Sequence, residues 1–410
     1  MVETVTISAL GHSGDGIAEI DGERVFVPFT LPGEVVEVEQ RGERAAALQI
    51  LEASPDRVAP LCRHFGICGG CALQHMRRDA YLAWKREQVA AAFRQRGIAA
   101  DVEPVVPIAA GTRRRAVLSA IKTGSQVTLG YHRRGSKEIV AIEECPILLP
   151  SLAAAKGTFA EIAGLALDRE KEGRITAVAA DNGFDVSVQG GGKMSRGKLE
   201  AIGRVGNNAA IARLTIDGVE IFRNRPPEIA AGAATLLPTP GGFVQAAASA
   251  EAALAEAVLA HVGKAKPVAD FFAGIGTFTL RLARQSPVTA IEGEKSLVEA
   301  LEAAVRRASG LKPVTARRRD LFVNPPSPVE LAAFGAVVFD PPAAGAKALA
   351  EAIAASTVKR VAAVSCNPAT LARDARILID GGYRLVRVLP VDQFLFSAEI
   401  EAVATFERVG

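Results

Sequence analysis

Five cysteines carry the most distinctive chemistry in this sequence of 410 residues. Four of them, Cys62, Cys68, Cys71 and Cys145, lie close to the beginning of the chain, whereas Cys366 stands alone far along it. In a reducing compartment, clustered cysteines indicate a metal site rather than a disulfide framework. Four thiolates suit zinc and an iron–sulfur cluster equally well, so the cysteine pattern by itself leaves both alternatives open.

Cys366 lies in the segment 365–368, Ser-Cys-Asn-Pro, directly after an apolar run that predicts a strand. A lone cysteine is often only a small buried side chain, but one at a strand end beside a ligand pocket is a candidate nucleophile. Its thiolate can add to a conjugated carbon such as C6 of a uracil, which alcohols attack poorly. Carbon 5 of that ring becomes nucleophilic only after such an addition.

Acidic residues stand at further places where strands are expected to end. Asp340 precedes Pro341 and Pro342, which make the chain rigid at the carboxyl end of its strand. Near the end of the sequence, Glu399 and Glu401 are two residues apart, so we expect them on the same side of a terminal strand. By pattern alone, either glutamate can be a catalytic base or an ordinary surface residue.

The segment 270–278, Asp-Phe-Phe-Ala-Gly-Ile-Gly-Thr-Phe, follows a predicted strand and opens a helix. Gly274 and Gly276 permit a tight turn and a close approach of the backbone to a ligand. Thr279 replaces the third glycine of the dinucleotide fingerprint, which disfavours NAD. Glu292 ends the next strand, where an acid typically holds ribose hydroxyls. These features predict a pocket for S-adenosylmethionine, with a purely structural turn as the alternative.

The sequence divides into three regions with different strand and helix patterns, and these regions would position the candidate site residues. Residues 1–55 contain short alternating segments between glycine and proline turns, which predicts a small β-barrel of the oligonucleotide-binding kind. Residues 56–235 open with a helical pattern over 80–95 and continue mainly with strand-like runs, so we expect an α+β middle domain. Residues 236–410 alternate strands and helices, which predicts a Rossmann-like α/β domain with ligands beyond the carboxyl ends of its strands.

Charge and composition limit which partners and which cellular compartment we expect for the protein. The net charge is only +3, but the basic runs 113–115, 132–134 and 317–319 can meet phosphates, which favours RNA modestly over a merely solvated face. No apolar run reaches the roughly 18 residues of a membrane span. The first residues lack the basic and apolar regions of a secretory signal. We therefore expect a cytoplasmic monomer that does not contact membranes.

The chain resembles the RNA uracil-C5 methyltransferase family over essentially its whole length, and specifically its 23S rRNA branch. The resemblance is carried by Cys-x5-Cys-Gly-Gly-Cys from Cys62, by Cys145-Pro, by Ser-Cys-Asn-Pro around Cys366 and by Glu-Ile-Glu ending at Glu401. It implies a TRAM module at the N-terminus, S-adenosylmethionine as the methyl donor, and RNA as the substrate. It also implies that Cys62, Cys68, Cys71 and Cys145 bind a 4Fe-4S cluster.

The same resemblance assigns roles to individual residues. Cys366 matches the family's nucleophile, and Glu401 rather than Glu399 matches its proton-abstracting base. The family's cofactor positions correspond to Gln245, Phe272, Thr277, Glu292, Asp320 and Asp340, beside the turn glycines Gly274 and Gly276. The chain departs from the family pattern at Ala247 and Thr277, where asparagine is usual, at Ala343 in place of arginine, and at Glu399 in place of histidine.

The implied reaction begins with extrusion of the target uridine from the RNA structure. Cys366 then adds to C6, a methyl group is transferred to C5, Glu401 removes the C5 proton and the thiolate leaves. One alternative is a tRNA uracil-C5 methyltransferase, although bacterial examples usually lack the cysteine cluster and the barrel. Another is a non-catalytic RNA-binding or ribosome assembly factor, which the intact Cys366 and Glu401 disfavour and which Ala247 and Ala343 mildly favour.

Overall fold

The computed structural model describes residues 2–208 and 210–409, and it begins with a six-stranded sheet. Its strands are β1 (Val2–Thr6), β2 (Ala9–Leu10), β3 (Gly16–Ile20), β4 (Glu23–Val27), β5 (Val35–Arg41) and β6 (Arg44–Glu52). Asp21 and Gly22 both have positive φ between β3 and β4, as a two-residue hairpin turn with a primed geometry requires. The recorded ladders join these strands in the open order β1-β5-β6-β4-β3-β2, so closure into a barrel stays a prediction.

A loop that contains three of the cysteines leads into helix α1 (Arg78–Gln95), close to the predicted span of 80–95. Tyr81, Lys85, Val89 and Phe93 recur every four residues and are all fully buried, so they form one face of this helix. That face packs against the C-terminal domain, because Val89 and Phe93 belong to the same hydrophobic core as residues of the last sheet. The helix therefore packs into the core of a region whose first strand begins only at Val268.

The middle region is a seven-stranded sheet with helices on one face, as the α+β pattern predicts. It contains β7 (Arg115–Thr123), β8 (Gln126–His132), β9 (Ile139–Ala141), α2 (Pro150–Ala154), α3 (Lys156–Ala166), β10 (Glu172–Ala180), β11 (Gly183–Gln189), α4 (Arg196–Asn208), β12 (Ile211–Ile216) and β13 (Val219–Arg223). The strand order is β13-β12-β11-β10-β7-β8-β9, and α3 supplies Phe159, Ile162 and Ala163 to the core beneath it. A short hairpin of β14 (Ile229–Ala231) and β15 (Ala234–Leu236) follows.

The C-terminal region alternates helices and strands. Its elements are α5 (Ala248–Val262), β16 (Val268–Phe271), α6 (Thr279–Leu282), β17 (Val288–Glu292), α7 (Lys295–Arg307), β18 (Val314–Arg318), α8 (Pro328–Leu331), β19 (Ala336–Phe339), α9 (Lys347–Ala354), β20 (Arg360–Ser365), α10 (Pro368–Asp380), β21 (Tyr383–Val391) and β22 (Glu401–Arg408). The central strands β16, β19 and β20 are almost entirely buried, as continuous apolar runs in a parallel sheet should be.

The order of this last sheet is β18-β17-β16-β19-β20-β22-β21. All pairs are parallel except those of β22, which runs antiparallel to both β20 and β21. The chain winds outward from β16 to β18 and then crosses to β19, so the order reverses between β16 and β19. Such a reversal opens a ligand crevice at the carboxyl ends of the strands.

Two details of this sheet differ from the sequence-based expectations. The pattern analysis did not identify the edge strand β18, which the exposed Arg317 and Arg318 end, and contact of the run 317–319 with phosphates stays a prediction. Glu399 and Glu401 were expected on one side of a strand, but β22 begins only at Glu401.

Within the described residues, every helix is too short or too polar to cross a lipid bilayer. The three domain boundaries remain predictions.

Candidate active site

The backbone of the last sheet brings Cys366 and Glu401 together. Cys366 follows β20, and Glu401 is the first residue of β22, the antiparallel neighbour of β20. In the ladder between these strands, Ser365 pairs with Ala402, so extending the register by one residue places Cys366 opposite Glu401. Directly opposed residues of an antiparallel pair have Cα atoms about 4.5–5.5 Å apart, which places the thiol and the carboxylate in one site.

Glu401 is buried and belongs to a chain of four polar side chains. Gln393 donates a hydrogen bond from Nε2 to Glu401 Oε2 at 3.1 Å and another to Gln245 Oε1 at 2.6 Å. Gln245 in turn donates from Nε2 to Asp340 Oδ2 at 3.2 Å. The two amides therefore bridge two carboxylates, one at the end of β19 and the other at the start of β22.

Burial raises the pKa of Asp340, Cys366 and Glu401, and neighbouring carboxylates add to the increase at Cys366 and Glu401. Burial, together with the charge of Asp340, raises the pKa of Glu401 well above its ordinary value, although the Gln393 hydrogen bond opposes this shift. Burial also raises the pKa of Asp340 to about 7. Burial and the nearby carboxylate of Glu401 raise the pKa of Cys366 to about 11, so the free enzyme holds this group as a thiol near neutral pH.

Arginines predicted to meet phosphates instead position Gln245. Arg114 is buried, donates from Nε to the carbonyl oxygen of Gln245 at 2.9 Å and forms a salt bridge with buried Glu251 of α5. Arg115 donates from Nε to the carbonyl oxygen of Gly242 at 3.0 Å. Both arginines are thus committed to the segment before α5, and for them the expectation of a phosphate-binding run was wrong.

The glycine turn after β16 has the geometry of a ligand cradle. Gly274 and Gly276 have φ values of 55° and 100°, in the region where only glycine is free of strain. A Cβ atom at Gly276 would come within 2.5 Å of Leu301 Cδ1, whereas one at Gly274 would meet nothing within 4 Å. Gly276 is therefore required for packing against α7, and the backbone at Gly274 is open to a ligand.

Glu292 fastens this turn at the end of β17. Its Oε2 accepts a hydrogen bond from the Gly274 amide at 3.0 Å, and its Oε1 accepts bonds from the amides of Gly293 at 2.7 Å and Glu294 at 3.0 Å. Thr279, which replaces the third glycine of the fingerprint, donates its hydroxyl proton to the buried carboxylate of Asp270. Glu292, the acid expected to hold a ribose, therefore also shapes the glycine turn.

Other predicted cofactor residues surround the same crevice. The rings of Phe272 and Phe322 have centroids 5.4 Å apart, and Phe322 is 55% exposed. The exposed carboxylate of Asp320 accepts a hydrogen bond from the Phe322 amide at 3.0 Å. Thr277 is half-buried, and its carbonyl oxygen accepts from Arg281. The predicted residues thus form two groups, one around the glycine turn and one around Cys366.

The four other cysteines are free thiols that line one cavity of about 1040 Å³, which also reaches Cys366. Burial raises the pKa of Cys71 to about 12, and the neighbouring Cys145 and Cys68 thiols contribute to the increase. Among the described residues, no group of three or more His, Cys, Asp or Glu side chains is arranged around a single metal ion. A cubane cluster differs from a single ion because each cysteine binds a different iron atom, so its thiols need not converge on one point.

Sequence reasoning missed Gln393. This glutamine is 3% exposed and touches both Gln245 and Glu401, and its Oε1 has no hydrogen-bond partner among the described residues. A signal was available, because Gln393 lies two residues beyond the carboxyl end of β21. Asp340 and Cys366 were identified because they too follow the carboxyl end of a predicted strand.

The raised pKa of Cys366 predicts slow alkylation of the free enzyme by iodoacetamide, because the thiolate is the attacking species. With a pKa of about 11, roughly one thiol in a thousand is ionised at pH 8, and the rate should rise about tenfold per pH unit up to pH 10. Glu401→Gln removes a negative charge and should accelerate labelling at pH 9. Peptide mass spectrometry resolves Cys366 from the other cysteines, and equal rates at pH 8 and pH 10 would contradict the prediction.

Comparison with known proteins supports the sequence-based assignment of the N-terminal module. Residues 2–39 match the TRAM domain, so the predicted TRAM module is confirmed. In overall structure, the chain is similar to a tRNA (uracil-54, C5)-methyltransferase from Pyrococcus abyssi in complex with S-adenosyl-L-homocysteine. That comparison has a TM-score of 0.76 and 22% identity, and it covers 98% of this chain and 99% of the other. The two proteins share a fold that includes a methyltransferase sheet.

Relatives by sequence cover nearly the whole chain. An uncharacterized RNA methyltransferase of Brucella suis is 46% identical over 404 residues, which are 98% of this chain and 97% of the relative. A 23S rRNA (uracil(1939)-C(5))-methyltransferase of Chromohalobacter salexigens is 34% identical over 435 residues, covering 98% of this chain and 89% of the relative. With identities of this size over almost all of both chains, the protein belongs to the RNA methyltransferase family of these relatives.

Proposed function

We propose that this enzyme methylates carbon 5 of a uridine in 23S rRNA, with Cys366 as nucleophile, Glu401 as general base and S-adenosylmethionine as methyl donor. The observation that carries the proposal is the placement of a half-buried thiol opposite a buried carboxylate at the crevice of a methyltransferase sheet. Methylation of an amine or a hydroxyl needs no such thiol. A uracil C5 does, because this carbon is activated only when a nucleophile adds to C6.

The residues around the glycine turn suit the proposed methyl donor. The open backbone at Gly274 and the half-buried carboxylate of Glu292 can face a ribose, and the exposed ring of Phe322 beside Phe272 offers an apolar surface to a purine. Bound there, S-adenosylmethionine supplies an electrophilic methyl group. We assign Thr277 and Asp320 to the same pocket by their positions at its edge.

In the proposed reaction, the target uridine leaves its RNA stack and lies between Cys366 and the donor. Cys366 loses its proton and forms a bond to C6, which generates an enolate that accepts the methyl group at C5. Glu401 then removes the C5 proton, the C6–sulfur bond breaks, and the thiol regains a proton. Burial raises the pKa of both Asp340 and Glu401, so that one carboxylate can hold the thiol proton while the other accepts the C5 proton.

The choice of 23S rRNA rests on the relative from Chromohalobacter salexigens, which is named for that substrate and is 34% identical. The structural neighbour named for tRNA is only 22% identical, so its likeness extends to the fold alone. Mass spectrometry of ribosomal and transfer RNA from a deletion strain distinguishes the two substrates. Loss of a 5-methyluridine from 23S rRNA is the expected result, and its loss from tRNA alone would exclude the rRNA proposal.

We further propose that Cys62, Cys68, Cys71 and Cys145 hold a 4Fe-4S cluster. Their free thiols line one cavity, and the cluster fits the family resemblance better than zinc does. The cluster would tie the loop before α1 to the segment after β9. Because the proposed methyl transfer needs no electron transfer, we assign the cluster a structural role or a role in RNA contact rather than a step in the reaction.

Cys366→Ala should abolish methylation and leave S-adenosylmethionine binding nearly unchanged, because the residues assigned to the donor lie on other strands. Transfer of a radiolabelled methyl group and calorimetric titration measure the two properties. RNA that contains 5-fluorouridine should trap the wild-type enzyme covalently, since fluorine cannot leave as a proton does. An alanine variant that still methylates RNA would show that Cys366 is not the nucleophile.

Glu401→Gln should permit addition and methyl transfer but block the last step, so a methylated RNA–protein adduct should survive denaturing electrophoresis. Loss of a general base commonly costs about 10²–10⁴ in rate, and turnover should fall by at least that order. Glu399→Gln is the matched control, because Glu399 is exposed and precedes β22, and it should retain most activity. The reverse result, with the adduct in the Glu399 variant only, would assign the base to Glu399.

Anaerobically purified enzyme should be brown and contain about four iron and four sulfide ions per chain. Serine at any one of the four cysteine positions should reduce soluble yield, because the cluster contributes to folding. Cys366→Ala should retain full iron content and serves as the control. Stoichiometric zinc without sulfide would refute the assignment.

A further inference from the structure

Lys85 is a buried cation whose partners all lie in one distant segment. The side chain is 0% exposed and lies on the buried face of α1, where an apolar residue would be the ordinary choice. Its Nζ donates to Asp392 Oδ1 at 2.7 Å, to the Phe394 carbonyl oxygen at 3.0 Å and to the Glu399 carbonyl oxygen at 2.6 Å. An ammonium group has three donors, and all three are used.

Those three acceptors all lie within residues 392–400, which connect β21 to β22 and form neither helix nor strand. The segment ends directly before Glu401, and several of its residues line the cavity that reaches Cys366. Its own conformation is strained at Phe396, which has a φ of 60°. A strained connection of nine residues needs external contacts to remain in one conformation.

Neighbours of Lys85 on the same helix reinforce these contacts. Tyr81 donates its hydroxyl proton to Asp392 Oδ1 at 2.6 Å and accepts a hydrogen bond from the Phe396 amide at 2.8 Å. Arg78 donates to Asp392 Oδ2 at 2.9 Å. Of Arg78, Tyr81 and Lys85, Lys85 binds the residue nearest in sequence to the proposed base, because Glu399 lies only two residues before Glu401.

We propose that Lys85 is a positioning residue for the methyl-transfer reaction, and that it sets the place of Glu401 by clamping segment 392–400 against α1. The inference rests on the proposed role of Glu401 as the base. A contribution to stability alone accounts poorly for a charge here, since removing water from an ammonium group is costly and an apolar side chain of similar size often serves as well. Lys85 instead supplies three directed bonds to one segment, which an apolar side chain cannot form.

The experiment compares Lys85→Met with Val89→Ala, which lies one turn further along α1 and removes only apolar packing. We expect Lys85→Met to lower turnover about tenfold or more, because small displacements of a reacting group are costly. We also expect it to accumulate the methylated adduct on ordinary uridine RNA. Val89→Ala should reduce thermal stability without accumulating the adduct. A Lys85→Met enzyme that loses activity only in proportion to its folded fraction, with no adduct, would overturn the proposal.

A double variant guards against failure of the single variant to fold. Lys85→Met with Asp392→Asn removes both charges of the buried pair but keeps an acceptor for Tyr81 and Arg78, so it should recover solubility, whereas the bonds to the Phe394 and Glu399 carbonyls remain lost. The adduct should still accumulate in this variant. A double variant that turns over like the wild type would show that Lys85 only balances the charge of Asp392.

Hydrogen exchange provides a readout that does not depend on the reaction. Amides of residues 392–400 should exchange faster in Lys85→Met than in Val89→Ala, and unchanged exchange there would overturn the clamp. If the wild type failed to trap RNA that contains 5-fluorouridine, the proposed function would fall. The exchange measurement would still decide whether Lys85 holds the segment.

Discussion

The antiparallel pairing of β20 and β22 is the constraint on which the proposed active site depends. The ladder between these strands ends with Ser365 opposite Ala402, and the same register brings Cys366, the next residue, to a place opposite Glu401. Side chains alternate along a strand, so a slip of one residue in this ladder would turn Glu401 to the other face of the sheet. The central position of β20 and the buried apolar residues on both strands make such a slip costly.

Around this pair the protein keeps three groups with raised proton affinity in one small volume. Two carboxylates that repel each other and a thiol would not stay together without compensation, and Gln245 and Gln393 provide it by donating to both carboxylates. The backbone of Gln245 is in turn fixed by Arg114, which is held by Glu251 on α5. The polar interior is therefore continuous from the middle sheet to the reacting groups.

Sequence patterns predicted those parts of this arrangement that depend on local periodicity. Asp340 and Cys366 were identified because each follows a short apolar run, and the structure places both at strand ends. The basic run around Arg114 was misjudged because its partner Glu251 is 137 residues away, and charge along a sequence does not reveal a distant counter-ion. The start of β22 was misplaced for the same kind of reason, since Lys85 on α1 holds the preceding residues out of the strand.

The packing of α1 also brings together parts of the chain that are far apart in sequence. Arg78 and Asp392 are 314 residues apart yet share a salt bridge, and residues 102–106 run beside β21. Topologically, the middle sheet is thus an insertion within a catalytic unit whose first helix is synthesised long before its last strands. The buried face of α1 shares its hydrophobic core with residues of the C-terminal region from β16 onwards, so on a ribosome it lacks this partner until that region emerges. The catalytic unit therefore closes only when its two distant pieces of chain meet, and its cooperative core forms after the whole middle sheet has been made.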